Sequence, residues 1–344
     1  MNVPRPLSPP RPAARHRRWS LPLFSAVALS CEGGVLDAGF DSPHGMLPID
    51  ERNPVILEND GGRDNWQGEM AVALAAAGRM TLVGIIVNAS PYWPNIATNF
   101  QDWTGLVAAA RASGCSAPDP VESDAPPLHA PANGIIEDTM PNNSPGAQRI
   151  RDTAHQLGRD YRPIVVATGG QLTDVADAYL IDHTVANLVV VVSSLGQANG
   201  STAIVGTPNG DSDPWADTIV VARYNFVQVS AYYEQSQDVS DARVAQLPND
   251  PFGNWINEKR PTILPGFGPS DQISVMAAVL PKYAQTVTRM AKLGTASAVA
   301  GTGTPPLTVT VPALSEDASG KVWVVSKGDS TIGTSAFWQA LTSL

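Results

Sequence analysis

The apolar positions of the chain fall into short β-branched runs that alternate with helical patterns. Residues 55–57 and Thr81–Val87 are predicted as the first two strands. The Ala-rich segment 69–80 between them is predicted as a crossover helix that ends near Gly78. Strands that alternate with helices are typical of βαβ units, so we predict an α/β fold with a mainly parallel sheet flanked by helices.

The alternation continues to the end of the chain. It predicts strands at 164–167, 188–192, 226–232 and 322–325, and helices at 147–157, 172–181, 215–223, 273–290 and 335–344. Segments 91–99 and 118–145 lack a period and are rich in Pro, as expected of binding loops or lids. We find no internal repeat and predict one large domain at 51–344.

The first thirty residues have a different composition. Five arginines precede an apolar run at 21–29: Arg5, Arg11, Arg15, Arg17 and Arg18. This order is typical of a secretory signal, and the run is too short for a membrane-spanning helix of about 20 residues. We predict a signal peptide at 1–30, with a Pro-rich leader as the alternative.

The apolar run ends in Ala28-Leu29-Ser30-Cys31, which resembles the processing site of bacterial lipoproteins, where the Cys becomes lipidated. The following segment, to residue 50, is predicted as a flexible linker. We therefore expect a secreted or envelope-anchored protein of a bacterium, a periplasmic or outer-membrane lipoprotein that touches the membrane only through lipid on Cys31. The second cysteine, Cys115, then has no intramolecular partner for a disulfide.

The charge of the chain limits its partners. A formal net charge of −10 and a pI near 4.9 disfavour binding to nucleic acid, since phosphate contacts need clustered Lys and Arg. We expect a small-molecule ligand that is neutral or cationic. A homo-oligomer is compatible with this composition.

The most informative polar pattern follows the first predicted strand. It reads Glu58-Asn59-Asp60-Gly61-Gly62-Arg63-Asp64-Asn65. Carboxylates at alternate positions of a turn can converge, and their oxygens suit Ca²⁺, although Mg²⁺ also prefers oxygen. Ligands bind at this end of parallel strands. The alternative is a solvated turn with a capping Asp or Asn.

This turn resembles the Asp-x-Asp-x-Gly-x-Asp-Asp signature of the inosine-uridine preferring nucleoside hydrolases, with Glu58 and Asn65 in place of the first and last Asp. Four further resemblances follow in the family's order. Residues 166–174 resemble its Ala-Thr-Gly-Pro-Leu-Thr-Asn segment with one residue inserted, 209–214 keep its spacing from an Asn to an Asp-Pro, 269–271 stand at its His-Asp-Pro, and 335–338 resemble its closing Phe-Trp helix. Together they cover most of residues 54–344.

The resemblance implies a Ca²⁺ ion that holds two ribose hydroxyls and the attacking water while an Asp accepts the proton of that water. Asp60 would be both general base and metal ligand. The other metal ligands implied are Asn65, Asp271 and the carbonyl of Thr168. The resulting reaction is hydrolysis of an N-glycosidic bond through an oxocarbenium-like sugar.

The resemblance also implies three residues that bind the ligand. Asp64 would bind a ribose hydroxyl, Asn209 would bind the sugar nearer its 5′ side, and Asn88, after the second strand, is a further pocket candidate. Structural alternatives stay open: the Thr168 segment as a plain turn, the Asn209 segment as a tight turn, and Asp271 as a helix cap.

Three departures from the family's pattern bear on activity. Asn65 replaces a carboxylate and should weaken metal binding, Ser270 replaces a His near the base, and Thr207 replaces a pocket Glu. Because the resemblance covers most of the chain, we still expect a hydrolase of ribonucleosides or related N-ribosides. The alternatives are a nucleoside- or sugar-binding lipoprotein without turnover and a hydrolase of another glycoside.

Aromatic and imidazole groups give weaker signals. Tyr92 and Trp93 are the preferred platform for a ligand ring, although aromatic residues are more often part of a core. His155 and His183 are predicted on helix surfaces, and His129 could approach a ligand if its Pro-rich segment folds over as a lid.

Overall fold

The computed structural model describes residues 47–61, 66–91, 93–194, 209, 212–230, 238–259, 271–300 and 308–343, without the side chains of 292–300 and 308–313. All of them belong to one compact unit, Gly39–Leu344. The predicted signal peptide, Cys31 and most of the predicted linker lie outside the described residues. In the described part of the chain, no helix is long and apolar enough to cross a membrane.

The described strands form a single sheet of nine. Their bounds are β1 Pro54–Asn59, β2 Thr81–Val87, β3 Pro120–Glu122, β4 Ile164–Thr168, β5 Val189–Ser193, β6 Asn225–Val229, β7 Ala284–Ala300, β8 Thr308–Glu316 and β9 Val322–Gly328. The spatial order is β3-β2-β1-β4-β5-β6-β9-β7-β8. The pairs from β3 to β9 are parallel, whereas β7 pairs antiparallel with β9 and β8. The mainly parallel sheet is thus confirmed.

Helices cover both faces of this sheet. The described α-helices are α1 Gln67–Ala76, α2 Ile96–Ala112, α3 Pro145–Leu157, α4 Thr173–Ile181, α5 Pro214–Arg223, α6 Asp241–Val244, α7 Pro251–Lys259, α8 Gln272–Val279 and α9 Ser330–Thr342. Short 3₁₀ turns lie at Ile136–Asp138 and His183–Asn187. Successive side chains of a strand point to opposite faces. Accordingly, Val55 and Leu57 join one hydrophobic core and Ile56 joins the other, so β1 is buried on both sides.

The strand order reverses at β1, which lies between β2 and β4. The chain goes from β1 to β2 on one side and later returns to β4 on the other side. Loops that leave the carboxyl ends of β1 and β4 therefore diverge to opposite sides of the sheet and leave a crevice between them. Open α/β sheets bind their ligands in such a crevice.

The predicted helix at 273–290 is wrong in its second half. The helix α8 ends at Val279, and β7 begins at Ala284. Pro281 lacks a backbone N–H and clashes with the preceding helical turn, which ends the helix. Beyond it the β-branched residues of 286–288 pair with β9, where Val287 lies opposite Val325.

A second difference concerns segment 91–99, which was predicted to be irregular. The helix α2 begins within it, at Ile96, because the Asn95 side chain accepts a hydrogen bond from the Thr98 N–H at 3.1 Å. The Pro-rich segment 118–145 is irregular as predicted, except for β3 and one 3₁₀ turn.

Candidate functional site

Polar residues gather where the central parallel strands end. The N–H of Asn88, after β2, donates to the Asn59 carbonyl at 3.0 Å, and the N–H of Gly169, after β4, donates to the Glu58 carbonyl at 2.8 Å. Both bonds continue the sheet ladder past its regular end. They hold the three strand ends together at the crevice beside β1.

Two glycines after β4 lie between the predicted site residues. A Cβ added to Gly169 would lie 2.6 Å from the Asp271 Cβ, and one added to Gly170 would lie 2.9 Å from both the Asp60 N and the Asn88 Oδ1. Real Cβ atoms do not approach other atoms so closely, so no larger residue fits at either position without displacing a neighbour. The segment after Thr168 therefore packs closely against both Asp271 and the Asp60 main chain.

The Asp271 carboxylate accepts hydrogen bonds from two neutral groups. Ser194 Oγ donates to Oδ1 at 3.0 Å, and Asn59 Nδ2 donates to Oδ2 at 3.3 Å. Asp271 is the N-cap residue of α8, yet its side chain makes no capping bond to that helix. The predicted alternative, a simple helix cap, is therefore not what the Asp271 side chain does.

A layer of amide and hydroxyl side chains lies behind Asp271, and we call Asn59, Gln67 and Ser274 the amide layer. Gln67 Oε1 accepts from Asn59 Nδ2 at 3.0 Å, and Gln67 Nε2 donates to Ser274 Oγ at 2.9 Å. Ser274 Oγ in turn donates to the Asp271 carbonyl at 2.7 Å. These bonds join β1, α1 and the start of α8 in one chain.

Ser194, directly after β5, connects three of the predicted site residues. Its N–H donates to the Thr168 carbonyl at 3.3 Å, and its own carbonyl accepts from Asn209 Nδ2 at 3.4 Å. Its hydroxyl binds Asp271. The structure thus brings Thr168, Asn209 and Asp271 together around a residue that the sequence analysis missed, although a polar residue just after an apolar strand is a signal that could have found it.

A second layer of buried polar side chains contains Glu58, Asn88 and Asp174, and we call these three residues the acidic layer. All three are fully buried. Asn88 Nδ2 donates to Glu58 Oε1, and Ser123 Oγ donates to Asp174 Oδ1 at 2.7 Å. Among the described residues, no partner is found for Glu58 Oε2, Asn88 Oδ1 or Asp174 Oδ2. Acceptors therefore outnumber donors in this layer.

Burial shifts the titration of both acids. It raises the pKa of Glu58 well above its ordinary value, and the charges of Asp174 and Asp60 raise it further. Burial also raises the pKa of Asp174 to about 6, against the lowering effect of the Ser123 hydrogen bond. Burial therefore favours the neutral form of both carboxylic acids over the ionised form.

Asp60 itself is 5% exposed, and its main-chain carbonyl accepts a hydrogen bond from Asn99 Nδ2. The Trp93 ring lies against the next residue, since a Cβ on Gly61 would be 3.2 Å from the ring. Trp93 is thus close to the crevice, while Tyr92 lies outside the described residues. By contrast, Trp103 is a core residue, 1% exposed.

The described histidines lie on the surface. His155 Nε2 is 2.7 Å from Asp182 Oδ2, just past the end of α4, and His183 stacks on Tyr179. The prediction that both lie on the surface is thus confirmed. The crevice is at the opposite, N-terminal end of α4. His129 is exposed in the Pro-rich segment.

The remaining predicted residues, Asp64 and Asn65, lie outside the described residues, as do Thr207 and Ser270. Within the described ranges, no group of three or more His, Cys, Asp or Glu side chains is arranged to hold a metal ion. The donors that the described chain does offer are the carboxylates of Asp60 and Asp271 and the Thr168 carbonyl. All are oxygens, and each carbonyl or carboxylate oxygen has a second lone pair, so the donor type fits a hard cation such as Ca²⁺.

The described residues thus form a large α/β domain with a mainly parallel sheet and a crevice at the carboxyl ends of its central strands. No protein-family model and no curated protein matches the sequence. Solved structures do match the fold. An inosine-guanosine nucleoside hydrolase superposes with a TM-score of 0.59 at 13% identity, over 84% of this chain and 99% of the other.

Two further structures match over similar lengths. The inosine-uridine preferring nucleoside hydrolase of Bacillus anthracis has a TM-score of 0.58 at 12% identity, over 85% of this chain and all of the other. The type III effector protein XopQ, solved in complex with adenosine diphosphate ribose, has a TM-score of 0.52 at 12% identity, over 84% and 94% of the two chains. In its fold, the chain is a divergent nucleoside hydrolase-like protein.

Proposed function

We propose that the protein hydrolyses the N-glycosidic bond of ribonucleosides or related N-ribosides with the aid of Ca²⁺. The observation that supports this proposal is the close approach of the segment after Thr168, beside β1, to the Asp60 main chain and to the Asp271 side chain. A crevice at a strand-order reversal is where open α/β sheets bind ligands. Two carboxylates and a carbonyl there supply the hard donors that Ca²⁺ prefers.

In this proposal Asp60, Asp271, Asn65 and the Thr168 carbonyl hold the ion. Bound Ca²⁺ would supply a lowered pKa for the attacking water and an anchor for two ribose hydroxyls. The Asp60 carboxylate accepts the proton of that water as its oxygen attacks C1′. The C1′–N bond breaks with its electron pair going to the base, which takes up a proton from solvent while Asp60 releases its own, and nearby carboxylates stabilise the positive charge on the sugar.

The ligand would be held by groups around the ion. Asp64 and Asn209 bind sugar hydroxyls, and Asn88 helps to shape the wall behind Asp60. The Trp93 ring, beside Gly61, is suited to contact a planar base. The nucleoside hydrolase and adenosine diphosphate ribose named for the matching structures support a ribosyl compound as the ligand class.

We also propose that the protein works outside the cytoplasm, where it would scavenge ribosides. This rests on the predicted secretory signal at 1–30 and on the resemblance of the segment ending in Cys31 to a lipoprotein processing site. Release of the chain from membranes by detergent, together with its loss from the membrane fraction in Cys31→Ser, would support the lipid anchor.

A second candidate is a binding protein that keeps the crevice but lacks turnover. It is motivated by Asn65, which has one negative charge fewer than an Asp, and by Ser270, which cannot act as an imidazole acid. A missing general acid of this kind typically lowers a rate by about 10²–10⁴-fold. Both candidates require the same ligand pocket, so only turnover separates them.

The deciding experiment combines calcium calorimetry with release of ribose from a panel of nucleosides. The wild type should bind Ca²⁺ and release ribose. Asp60→Ala should weaken Ca²⁺ binding and slow release by about 10³-fold, since it removes both a ligand and the base. Asp119→Ala, which removes an exposed carboxylate paired with Arg111, is the matched control and should change neither.

Other results would contradict the proposal. Thermal stabilisation by nucleosides without release of product would favour the binding protein, because a ligand of the folded state raises the melting temperature. Absence of Ca²⁺ binding would remove the metal from the proposal.

A further inference from the structure

One buried amide connects three segments of the candidate site. Asn99 lies in the first turn of α2 and is 5% exposed. Its Nδ2 is within hydrogen-bonding distance of three main-chain carbonyls: those of Asp60, of Asn88 at 3.1 Å and of Trp93 at 3.1 Å. An amide nitrogen carries two N–H groups, so the three carbonyls share them. Asn99 therefore joins the ends of β1 and β2 to the segment that leads into α2.

The position of this amide is fixed by its helix. The Asn99 N–H donates to the Asn95 carbonyl at 3.0 Å, and the Asn95 side chain caps the same turn. The regular pairing of β1 with β2 ends at Asn59 and Val87. Beyond this point, buried carbonyls need another partner, because an unpaired one is costly. Asn99 provides that partner for Asp60 and Asn88.

The same contact reaches the aromatic residue beside the crevice. Trp93 packs its ring on Gly61, the residue after Asp60, and its carbonyl is held by Asn99. One side chain thus sets the peptide planes of both Asp60 and Trp93. A shift of either residue relative to the other would require breaking this shared contact.

We propose that Asn99 is a positioning residue that fixes the Asp60 carboxylate relative to the Trp93 ring, and so aligns the attacking water with the ligand. This inference rests on the proposed function. Asn99 acts through these two neighbours and touches neither the ligand nor the metal. Misplacement of reacting groups by about 1 Å can slow an enzyme by about 10²-fold.

The test compares Asn99→Leu, which keeps the branching at Cγ but has no N–H donor, with Asn95→Ala, which removes the cap of the same helical turn. We expect Asn99→Leu to lower kcat for ribose release by about 10²-fold with KM changed less than about threefold, and to weaken Ca²⁺ binding by about 10-fold. Asn95→Ala should lower the melting temperature while kcat and calcium affinity stay within about twofold. Should Asn99→Leu not fold, Asn99→Ser, with one shorter donor, replaces it.

Two results separate the failure of this inference from that of the proposed function. If the wild type releases ribose and Asn99→Leu changes kcat no more than Asn95→Ala does, Asn99 is merely structural and the inference is overturned. If the wild type binds Ca²⁺ but releases no ribose, the proposed function fails. A loss of calcium affinity in Asn99→Leu alone would then still support the positioning of Asp60.

Discussion

The two sides of the crevice are supported in different ways. Behind Asp271, the amide layer pairs donors with acceptors through Asn59, Gln67 and Ser274. Beside Asn88, on the Asp60 side, the acidic layer holds buried acceptors without partners among the described residues, and the pKa values of its two acids are raised.

This difference indicates which side of the crevice responds to pH, the Asp271 side or the Asp60 side. Amides and hydroxyls do not titrate near neutrality, so the hydrogen bonds that hold Asp271 should persist across the physiological range. In the acidic layer, each proton changes both the charge and the number of donors. We therefore expect the Asp271 side to be sensitive to steric changes and the Asp60 side to be sensitive to protonation.

The largest effect is expected from Asp174→Asn. Because burial raises the pKa of Asp174 from 3.8 to about 6, Asp174 carries a proton in the folded state between about pH 4 and 6. In the unfolded state the same carboxyl is ionised over this range. The free energy of unfolding should therefore fall as the pH rises through this window, by up to about 3 kcal/mol at pH 7. Asn cannot ionise, so it removes this loss of stability. Its amide oxygen can still accept the hydrogen bond from Ser123, and its amide nitrogen can donate a hydrogen bond from the position of Asp174 Oδ2.

Urea unfolding from pH 4 to 8 checks this prediction. The variant should be more stable than the wild type at pH 7, and the difference should shrink toward pH 4. Glu58 is unchanged in the variant, so a pH dependence from its own raised pKa should remain. An equal stability difference at every pH would show that Asp174 is not protonated on folding.

A smaller effect is expected from Gly169 and Gly170, the two close-packed glycines after β4. Gly169→Ala places its Cβ against Asn59 and 2.6 Å from the Asp271 Cβ, whereas Gly170→Ala approaches its nearest neighbours at 2.9 Å. We expect Gly169→Ala to lower the free energy of unfolding by roughly 2 kcal/mol and Gly170→Ala by roughly 1 kcal/mol. Urea midpoints of the two variants measure the difference. Equal losses of unfolding free energy in the two variants would contradict tighter packing around Gly169, next to Asp271, than around Gly170.

The smallest effect is expected from Ser194→Ala. This change removes the hydroxyl that donates to Asp271 but keeps the main-chain bonds to Thr168 and Asn209. The expected loss of stability is about 1 kcal/mol, the usual net value of one hydrogen bond. Unfolding at pH 5 and pH 8 should give the same loss, since no titrating group is added or removed; a strong pH dependence would contradict the comparison.

Most of the parallel sheet could be predicted from the sequence. Continuous apolar runs such as the one ending at Val192 are typical of strands buried on both faces, and five ordered motif resemblances indicated the fold. Segment 284–300 could not be assigned in this way. Its Ala, Met and Lys residues favour a helix locally, and only pairing with β9 makes it a strand.

The site was predicted unevenly. The turn containing Asp60 and the segments of Thr168 and Asp271 were recognisable by motif. The supporting residues Asn99 and Gln67 gave no signal, because their importance lies in contacts with residues 39 and 207 positions away along the chain.

The sequence by itself determined the alternation of strands and helices, the acidic turn after β1 and the family resemblance, since these depend on local periodicity and residue type. Only the tertiary structure decided that the strand order reverses at β1, that Gly169 and Gly170 pack closely against Asp271 and Asp60, and that burial raises the pKa of Glu58. Strand order, close approach and desolvation all depend on distant segments packing together, and no local pattern encodes them.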